Sequence, residues 1–524
     1  MSIPLTLNFV AICIGIYILK SYISKRASNP SSLPYPPGPK PKPIVGSLLD
    51  LPKEESWKTY ASWGKEYGDL IHFTVLGKHF IVLNSSRVAT DLLERRAHKY
   101  SDKPVTPTLS MSDWLWAFSN MPYGEKWRRY RREFHQQFRA EKNRNYRPIM
   151  SQRARQLLRN LAGNPEQFVS YLRHYAAAVI MSIAYDYDVA SQDDRFVYIA
   201  EAAVNMLGHC TFPGATIVNT LPFLRHLPGW LPGMGVKRYT EECRKLTLEM
   251  RHAPLELVRK RMASGVPSDC VAANLIDRFS ARGGTLEENE ETITDVAAMA
   301  YAAGADTTVS ALTTAFLAMT LYPEARMKAQ AEIDKVIGTS RLPGFEDKDS
   351  LPYLEAFIRE VFRWRPVAPL SIPHVVMEDD VYEGYFIPKG TIVNTNLWAM
   401  QQEESMFGDE PEKFKPERFL NPDGSLNDRF PDATFGLGRR HASCAGRHTG
   451  FDTVWVGIAH VLAAFDVSKA KDEAGNEIDV VEKYVDALVS HPLPFACSIM
   501  PRSRHAETLI NELLPLAAAD EVKI

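Results

Sequence analysis

The chain has 524 residues, of which 45% are hydrophobic and 24% are charged, an ordinary globular composition with enough length for a large core. The formal net charge of −2 gives no overall positive field, which argues against nucleic acid as a partner. Six scattered cysteines form no C-x-x-C pair, so they indicate neither a zinc site nor a disulfide framework. Dispersed single cysteines suit a reducing compartment.

The first predicted element is an uncharged apolar run, Ile3 to Leu19, which is followed by Lys20, Lys25 and Arg26. Its length approaches the roughly 20 apolar residues that a membrane-spanning helix needs. The alternative, a cleaved signal peptide, would have a basic start and a small-residue cleavage site. We predict a transmembrane anchor over residues 1–24, with the rest of the chain cytosolic because the cations follow the span.

A basic and proline-rich hinge is predicted over residues 25–46. Its closely spaced prolines forbid helix and favour a stiff extended linker. Downstream, the Asn84 sequon (Asn-Ser-Ser) would face the cytosol and stay unused.

The body of the chain predicts a mainly α fold with small β portions, in the α+β class. A catalytic domain is expected over residues 47–505, with a C-terminal tail over 506–524. The expected elements are a helix over 54–67, a hairpin over 70–84 turning near Gly77, a helix capped by Ser85 or Ser86 that runs through Ala97, mostly helix over 127–321 with a proline-rich break at 212–235, strands over 381–395 and a helix over 447–465.

The stretch Ile293 to Leu321 is too long and apolar for a surface helix, so it is expected to cross the core. Gly304, Asp306 and Thr307 interrupt its apolar pattern at the middle. Glycine weakens a helix interior, and a buried carboxylate is costly unless it is paired. Two interpretations remain open: a helix dimple with a solvated Asp306, or a proton-delivery site in a locally opened groove.

Two further patterns concern charged residues on helices. Glu360 and Arg363 are three apart and share a helix face, and Arg418 in FKPERF is a second possible partner for Glu360. Such spacing is weak evidence alone, but a carboxylate that accepts two guanidinium groups could form a buried structural lock.

Trp127 and Arg131 are four apart on a basic helix and point the same way. Its outer face would carry Arg128, Arg129 and Arg132. The helix is either an ordinary solvated basic helix, or it presents one face to an anionic cofactor and the other to an acidic protein partner.

Cys444 lies in the stretch FGLGRRHASCAGRH, between glycine pairs and cationic side chains. A buried cysteine is commonly a small apolar filler. Cationic neighbours and a flexible backbone also suit a thiolate.

Taken in order, these motifs resemble the cytochrome P450 family. The resemblance rests on WRRYR from Trp127, AGADTT from Ala303, EVFR from Glu360, FKPERF from Phe414 and FGLGRR with the following CAG around Cys444. It covers essentially the whole chain, including the anchor and hinge. Within the family, the chain looks like the microsomal fungal branch that is used in secondary metabolism. The resemblance implies a cytochrome P450 fold.

The resemblance also implies residue roles around heme b. Cys444 would be the axial thiolate on the iron, and Asp306 and Thr307 would relay protons to the distal side. Glu360, Arg363 and Arg418 would form the buried ion network. The groups implied for the haem propionates are Trp127, Arg131, His374 and Arg440.

The cysteine loop departs from the family pattern. His441-Ala442-Ser443 fills the place of a single residue between Arg440 and Cys444. The two extra residues are expected to bulge and to alter the hydrogen bonds to sulfur. One alternative therefore stays open, a non-catalytic haem-binding membrane protein.

The implied activity is that of an endoplasmic-reticulum-anchored haem-thiolate monooxygenase. It would insert one atom of O2 into an apolar small molecule, such as a terpenoid, polyketide or aromatic secondary metabolite. An NADPH-cytochrome P450 reductase would supply electrons, with cytochrome b5 as a further partner, docking on Arg128, Arg129, Arg132 and Arg447. A haem-thiolate isomerase or peroxygenase, needing no reductase, is the alternative, against which the Asp306-Thr307 pair argues.

Substrate contacts are expected from five segments rich in apolar side chains. They are residues 105–120, 210–230, 298–305, 367–372 and 487–489.

Overall fold

The computed structural model of the chain describes residues 29, 31–191, 193–211, 216–231, 234–282, 286–438 and 444–512. Several sequence predictions concern residues outside these ranges: the anchor over 1–24, residues 25–28 and 30 of the hinge, Arg440 with the inserted residues before Cys444, and residues 513–524 of the tail. Within the described ranges, no helix is long and apolar enough to cross a membrane.

The described chain is mainly helical, as the sequence predicts. The longer helices are α1 (Ser56–Tyr67), α2 (Glu125–Phe138), α3 (Arg147–Gly163), α4 (Phe168–Tyr185), α5 (Arg195–Thr211), α6 (Gly235–Ala263), α7 (Val271–Arg282), α8 (Leu286–Leu321), α9 (Pro323–Val336), α10 (Pro352–Trp364), α11 (Arg447–Ala464) and α12 (Arg504–Glu512). Short α-helices span Ser86–Ala89, Ala97–Tyr100, Pro107–Met111, Ala140–Asn143, Ile217–Thr220, Leu397–Met400 and Glu404–Phe407. A π-helical segment spans Thr90–Arg95, and 3-10 turns span Leu48–Asp50, Arg144–Tyr146, Pro165–Gln167, Pro222–His226, Phe345–Ser350, Pro416–Phe419 and Asp432–Phe435.

The β portions are small and are built from distant parts of the chain. The strands are β1 (Leu70–Val75), β2 (Lys78–Leu83), β3 (His374–Val375), β4 (Asp380–Tyr382), β5 (Tyr385–Ile387), β6 (Ile392–Thr395), β7 (Phe465–Lys469) and β8 (Cys497–Pro501). One sheet has the order β1-β2-β6-β3, and β4-β5 and β7-β8 form two-stranded ribbons. The parallel β2–β6 pair, with Phe80 opposite Ile392, ties the early hairpin to the late strands.

Helix α8 crosses the core, and its sequence explains why. Buried apolar residues occupy most of its faces from Ile293 to Met319, so burying this part of the helix removes a large apolar surface from water. Its main neighbour is α4, and a Cβ at Gly304 would lie only 2.7 Å from Cγ1 of Ile180. Glycine at this position therefore permits the close approach of the two helices. The helix runs unbroken through Gly304, Asp306 and Thr307, so the locally opened groove that the sequence suggested is not found.

Several local predictions are confirmed at the residue level. Helix α1 ends at Tyr67, and the hairpin turns at Gly77 with a positive φ of 82°. Ser85 caps the next helix by accepting a hydrogen bond from the Val88 N–H. The helix after the cysteine ends at Ala464, one residue before the predicted end, because Phe465 begins β7.

The second half of the predicted hinge is part of the body. Tyr35 stacks on His72 with ring centroids 4.9 Å apart, and the carbonyl of Pro37 accepts from the His72 N–H at 2.8 Å. The prolines still hold this segment extended. Its backbone nevertheless pairs with β1, and the ring of Tyr35 covers the sheet. A free linker can therefore extend no further than about Pro34, whose carbonyl accepts from Phe386.

Two other expectations have structural outcomes. Asn84 is buried, and its side-chain N–H donates to the Tyr60 carbonyl at 2.9 Å, in agreement with an unused sequon. The predicted boundary between domain and tail falls inside α12, whose Ala506 and Ile510 are buried against the body.

Candidate active site

A cavity of about 310 Å³ lies between the central helix and the helix that follows Cys444. Its wall is built from α2, α4, α8, the start of α11, and the loops before β3 and before Cys444. Most of the lining side chains are apolar, including Phe118, Phe134, Val179, Ile180 and Ala303. The same wall carries Trp127, Arg131, Thr307, His374 and Cys444, so one site contains five of the seven residues that the sequence singled out.

Cys444 faces this cavity directly before α11. Its backbone N–H donates to the Phe435 carbonyl at 2.7 Å, which closes the loop on its N-terminal side. The thiol is exposed toward the cavity, while protein atoms crowd its other sides. This burial raises the pKa of the Cys444 thiol, and the Gly446 N–H, Arg131 and Arg447 act in the opposite direction. A bound metal ion would complete the deprotonation, because coordinated thiols lose their proton.

Trp127 and Arg131 share one face of α2, as their spacing predicts. The Trp127 indole N–H donates to the Phe118 carbonyl at 3.1 Å. Burial lowers the pKa of Arg131, and the charge of Cys444 raises it, which places the guanidinium within electrostatic reach of the sulfur. On β3, Nδ1 of His374 lies 3.0 Å from the Tyr100 carbonyl, and this ring nitrogen must carry the proton because a carbonyl only accepts.

Lys103 is a site residue that the sequence interpretation missed. It lines the cavity, only 5% of it is exposed, and its ammonium donates to the Ile372 carbonyl at 2.9 Å. Burial lowers the pKa of Lys103 to about 7, with Asp102 opposing. A lone Lys in SDKP carries no periodic signal, so only the folded chain shows that this cation faces the cavity.

Asp306 and Thr307 are neighbours in sequence, but only Thr307 lines the cavity. Thr307 lines the cavity, and its hydroxyl donates to the Ala303 carbonyl at 2.7 Å. Asp306 points to another side of α8, where Oδ1 lies 3.0 Å from Nε2 of His491. Asp306 therefore has a histidine partner and, at 28% exposed, is also solvated, as one of the two interpretations predicts.

Glu360, Arg363 and Arg418 meet in a buried network, which confirms the predicted lock. Arg363 donates to both carboxylate oxygens of Glu360, at 2.6 and 2.8 Å, and Arg418 donates to Oε1 at 3.1 Å. The Glu360 and Arg363 side chains have no exposed surface, and Arg418 has 4%. The remaining guanidinium N–H groups reach backbone carbonyls, including that of Gln401 at 2.7 Å.

The outer face of α2 is only partly available to a partner. Arg128 and Arg132 are exposed, whereas Arg129 donates to the Glu288 carbonyl at 2.7 Å. Arg447, at the start of α11, is exposed and also borders the cavity.

Three of the five predicted substrate segments contribute to the cavity wall. They supply Phe118 and Ser119, then Met299, Ala300, Ala303 and Gly304, and then Val367, Ala368, Ser371 and Ile372. The described residues of 210–230 and residues 487–489 supply no lining side chain.

The donor set of the cavity fits a haem group. A thiol can ligate iron, Arg131 and Lys103 can meet carboxylates, and the apolar wall suits a large flat ring. Among the described residues, only Cys444 brings a thiol to this wall, since Cys243 and Cys270 are buried elsewhere. The fold and the site together define the class of haem-thiolate proteins.

Comparison with known proteins agrees with this class. The sequence profile of the family described as Cytochrome P450 matches residues 36–497. A cytochrome P450 monooxygenase of Armillaria gallica is 40% identical over 96% of this chain and 99% of its own length. Cytochrome P450 monooxygenase COX1 of Coprinopsis cinerea is 37% identical, over 95% of this chain and 97% of its own. Cytochrome P450 monooxygenase 176 of Postia placenta is 40% identical, over 91% and 92%.

The chain therefore belongs to the cytochrome P450 family. It is an oxidoreductase of the monooxygenase type, and its family membership implies haem iron held by a cysteine thiolate. A redox partner and a small-molecule substrate follow from the same membership.

Proposed function

We propose that this monooxygenase oxidises an apolar small molecule of secondary metabolism, using electrons from an NADPH-cytochrome P450 reductase, with Cys444 as its iron ligand. The observation that carries the proposal is the single cavity shared by Cys444, Arg131, His374 and Thr307. A non-catalytic haem-binding protein would have no use for Thr307 on the cavity wall directly after Asp306, a carboxylate that bonds His491 on another side of the helix.

The wall residues have separate tasks in this proposal. When bound, thiolate-ligated haem supplies O2 binding and O–O bond cleavage, which electron donation from sulfur favours. Arg131, His374 and the newly found Lys103 hold its carboxylates, and Trp127 positions the wall through its bond to Phe118. Arg440 is retained as a candidate from the sequence. Thr307 holds a proton donor at the cavity, and Asp306 replenishes it.

The apolar wall supports an apolar substrate. Phe118, Met299, Val367 and Ile372 offer carbon surface, and Ser119 and Ser371 offer hydroxyls. A wall with few polar groups excludes water and binds ligands mainly through buried apolar area. Terpenoid, polyketide and aromatic scaffolds all satisfy these requirements, and incubating reductase-supplied microsomes with a panel of such compounds distinguishes them by product formation.

The basic face of α2 supports reductase docking. Arg128 and Arg132 project outward from the helix whose inner face carries Arg131. An acidic partner bound there would lie against the helix whose inner face lines the cavity, and cytochrome b5 could use the same surface. Charge reversal of Arg128 and Arg132 should lower the rate of reductase-supported reduction, most strongly at low salt. Turnover that is independent of reductase would instead favour a peroxygenase.

Attachment to the endoplasmic reticulum membrane remains part of the proposal. Support comes from the apolar run before Lys20 and from exposed apolar side chains on the body, among them Ile44, Leu49, Phe223 and Trp230. The full chain should stay with microsomes after carbonate washing, whereas a chain lacking residues 1–28 should not.

The ligand assignment is tested by replacing Cys444 with Ser and recording the spectrum of the reduced, CO-bound protein. Wild type should show the Soret band of a thiolate complex, and Cys444→Ser should lose it. Cys497→Ala, which removes a thiol from β8, is the matched control and should keep the band. A Cys444→Ser protein that retains the thiolate band would overturn the assignment.

A further inference from the structure

The ion pair between His491 and Asp306 joins two distant parts of the chain behind the cavity. Nε2 of His491 lies 3.0 Å from Oδ1 of Asp306, across 185 residues of sequence. The side chains are 25% and 28% exposed, so water reaches both of them. Asp306 directly precedes Thr307, which lines the cavity. The pair therefore stands between solvent and the cavity wall.

Two further charged groups surround the pair on its outer side. Glu201 on α5 interacts electrostatically with both members, and Arg173 on α4 lies 3.8 Å from Glu201. Burial raises the pKa of Glu201; Arg173 and His491 lower it, and Asp306 raises it. Glu201 and Arg173 are 38% and 50% exposed, which is more than the inner pair. Exposure thus decreases from Arg173 and Glu201 to the His491–Asp306 pair, whose Asp306 is the chain neighbour of the cavity-lining Thr307.

The loop that carries His491 is fixed without the ion pair. The Ser310 hydroxyl donates to the Ser490 carbonyl at 2.6 Å, and the Ser490 N–H donates to the Val367 carbonyl at 2.8 Å. The Val485 N–H donates to the His491 carbonyl at 2.9 Å. These bonds hold the backbone of His491 beside α8 whatever its side chain does, so the imidazole is free to exchange protons.

We infer that His491 is a positioning residue that carries protons between solvent and Asp306. The Nδ1 atom of neutral imidazole takes a proton from hydronium on the solvent side, or from the Glu201 carboxyl, and the resulting imidazolium passes its Nε2 proton to the Asp306 carboxylate. Exchange with water then moves the remaining N–H from Nδ1 back to Nε2. The Asp306 carboxyl then passes its proton to the Thr307 hydroxyl or to water beside it. Each transfer breaks one N–H or O–H bond and forms another, so no oxidant or reductant is consumed. Imidazole suits this task because its ordinary pKa is near neutrality.

The proposal rests on the monooxygenase function and is tested in the full chain with reductase. His491→Phe keeps a planar ring but cannot carry a proton. Product formed per NADPH should fall about tenfold, less than the roughly hundredfold or greater loss typical of a direct proton donor. Hydrogen peroxide released per NADPH should rise, and the solvent deuterium isotope effect on product formation should increase. His491→Lys, which restores a cation able to donate, should recover part of the lost product yield.

Coupling to Asp306 is tested by the double variant. If protons pass through His491 to Asp306, adding His491→Phe to Asp306→Asn should change the product yield little beyond Asp306→Asn alone. Independent effects of the two substitutions would overturn the relay. His505→Phe, an exposed histidine on α12, is the matched control and should behave as wild type.

A readout that does not depend on turnover comes from NMR of the reduced, CO-bound protein labelled with 15N-histidine. The 15N shifts of His491 should show a hydrogen-bonded Nε2 whose proton exchanges with water in wild type, and this hydrogen-bonded signature should be lost in Asp306→Asn. Failure of the proposed function would appear in wild type, as the absence of a thiolate CO band or of product. Failure of this inference would appear as an active wild type whose His491→Phe variant has unchanged peroxide release and isotope effect.

Discussion

Two carboxylates with basic partners lie on neighbouring elements of this protein and differ mainly in their access to water. Glu360 accepts from Arg363 and Arg418 with no exposed surface, whereas Asp306 meets a single histidine and is 28% exposed. The first network satisfies every bond internally, so it can change neither charge nor position without disrupting the core. Water reaches the second pair, as the proposed proton transfer requires. The degree of burial therefore distinguishes the Glu360 network, which stabilises the fold, from the Asp306–His491 pair, which is accessible to water and suited to proton transfer.

The largest expected effect comes from removing the carboxylate of the buried network. Glu360→Ala leaves Arg363 and Arg418 charged and without their anion, which costs about 3–5 kcal/mol of unfolding free energy. Urea unfolding and haem content should both show the loss. The matched control is Glu383→Ala, which removes the exposed partner of Arg87 and should change stability far less. Equal losses in the two variants would contradict the role of burial.

Asp295 provides an intermediate case, because it is buried but has only partial compensation. Arg251 donates to Oδ1 at 2.6 Å and Tyr130 to Oδ2 at 2.9 Å, yet burial raises the pKa of Asp295 to about 6. The folded carboxyl keeps its proton to a higher pH than the unfolded one, so wild type loses stability as pH rises from about 4 to about 6. Relative to Asp295→Asn, this loss should be about 2–3 kcal/mol.

The measurement is urea unfolding of both proteins at several pH values between 4 and 6.5. Parallel curves for wild type and Asp295→Asn would show that the carboxyl titrates in the folded state as it does in the unfolded chain.

Lys103 extends the comparison to a buried cation that faces the cavity. If it meets a haem carboxylate, Lys103→Met should speed haem transfer to apomyoglobin about tenfold, since a charge-assisted hydrogen bond contributes about 1.5 kcal/mol. Lys99→Met, which removes a nearby lysine paired with Asp380, is the control and should leave the transfer rate unchanged. An unaltered rate of haem transfer for Lys103→Met would show that Lys103 does not bind a haem carboxylate.

The smallest expected change in stability belongs to the exposed pair. Asp306→Asn should shift the unfolding free energy by less than about 1 kcal/mol, because water already solvates both partners. The same variant should release more hydrogen peroxide per NADPH. A loss of stability as large as that of Glu360→Ala would mean that the pair is structural, which would erase the contrast between the two networks.

The sequence predicted the features that depend only on residues close together along the chain. Helix α8 followed from its length and hydrophobicity, the hairpin from Gly77, and the Glu360–Arg363 bond from a three-residue spacing on one helix. The motif order was sufficient to indicate the family and Cys444, because each motif is a short local run and the five together, in this order, are far more specific than any one of them. The geometry of residues 439–443 stays a prediction from the sequence, since these residues lie outside the described ranges.

Only the tertiary structure determined which distant groups meet. His491 reaches Asp306 across 185 residues, Lys103 faces the cavity, and the second half of the hinge covers β1. Spacing along one helix or strand determines which side chains share a face, but contacts between elements depend on how those elements pack. The partner of a charge, and whether water reaches it, therefore cannot be deduced from the neighbouring letters of the sequence.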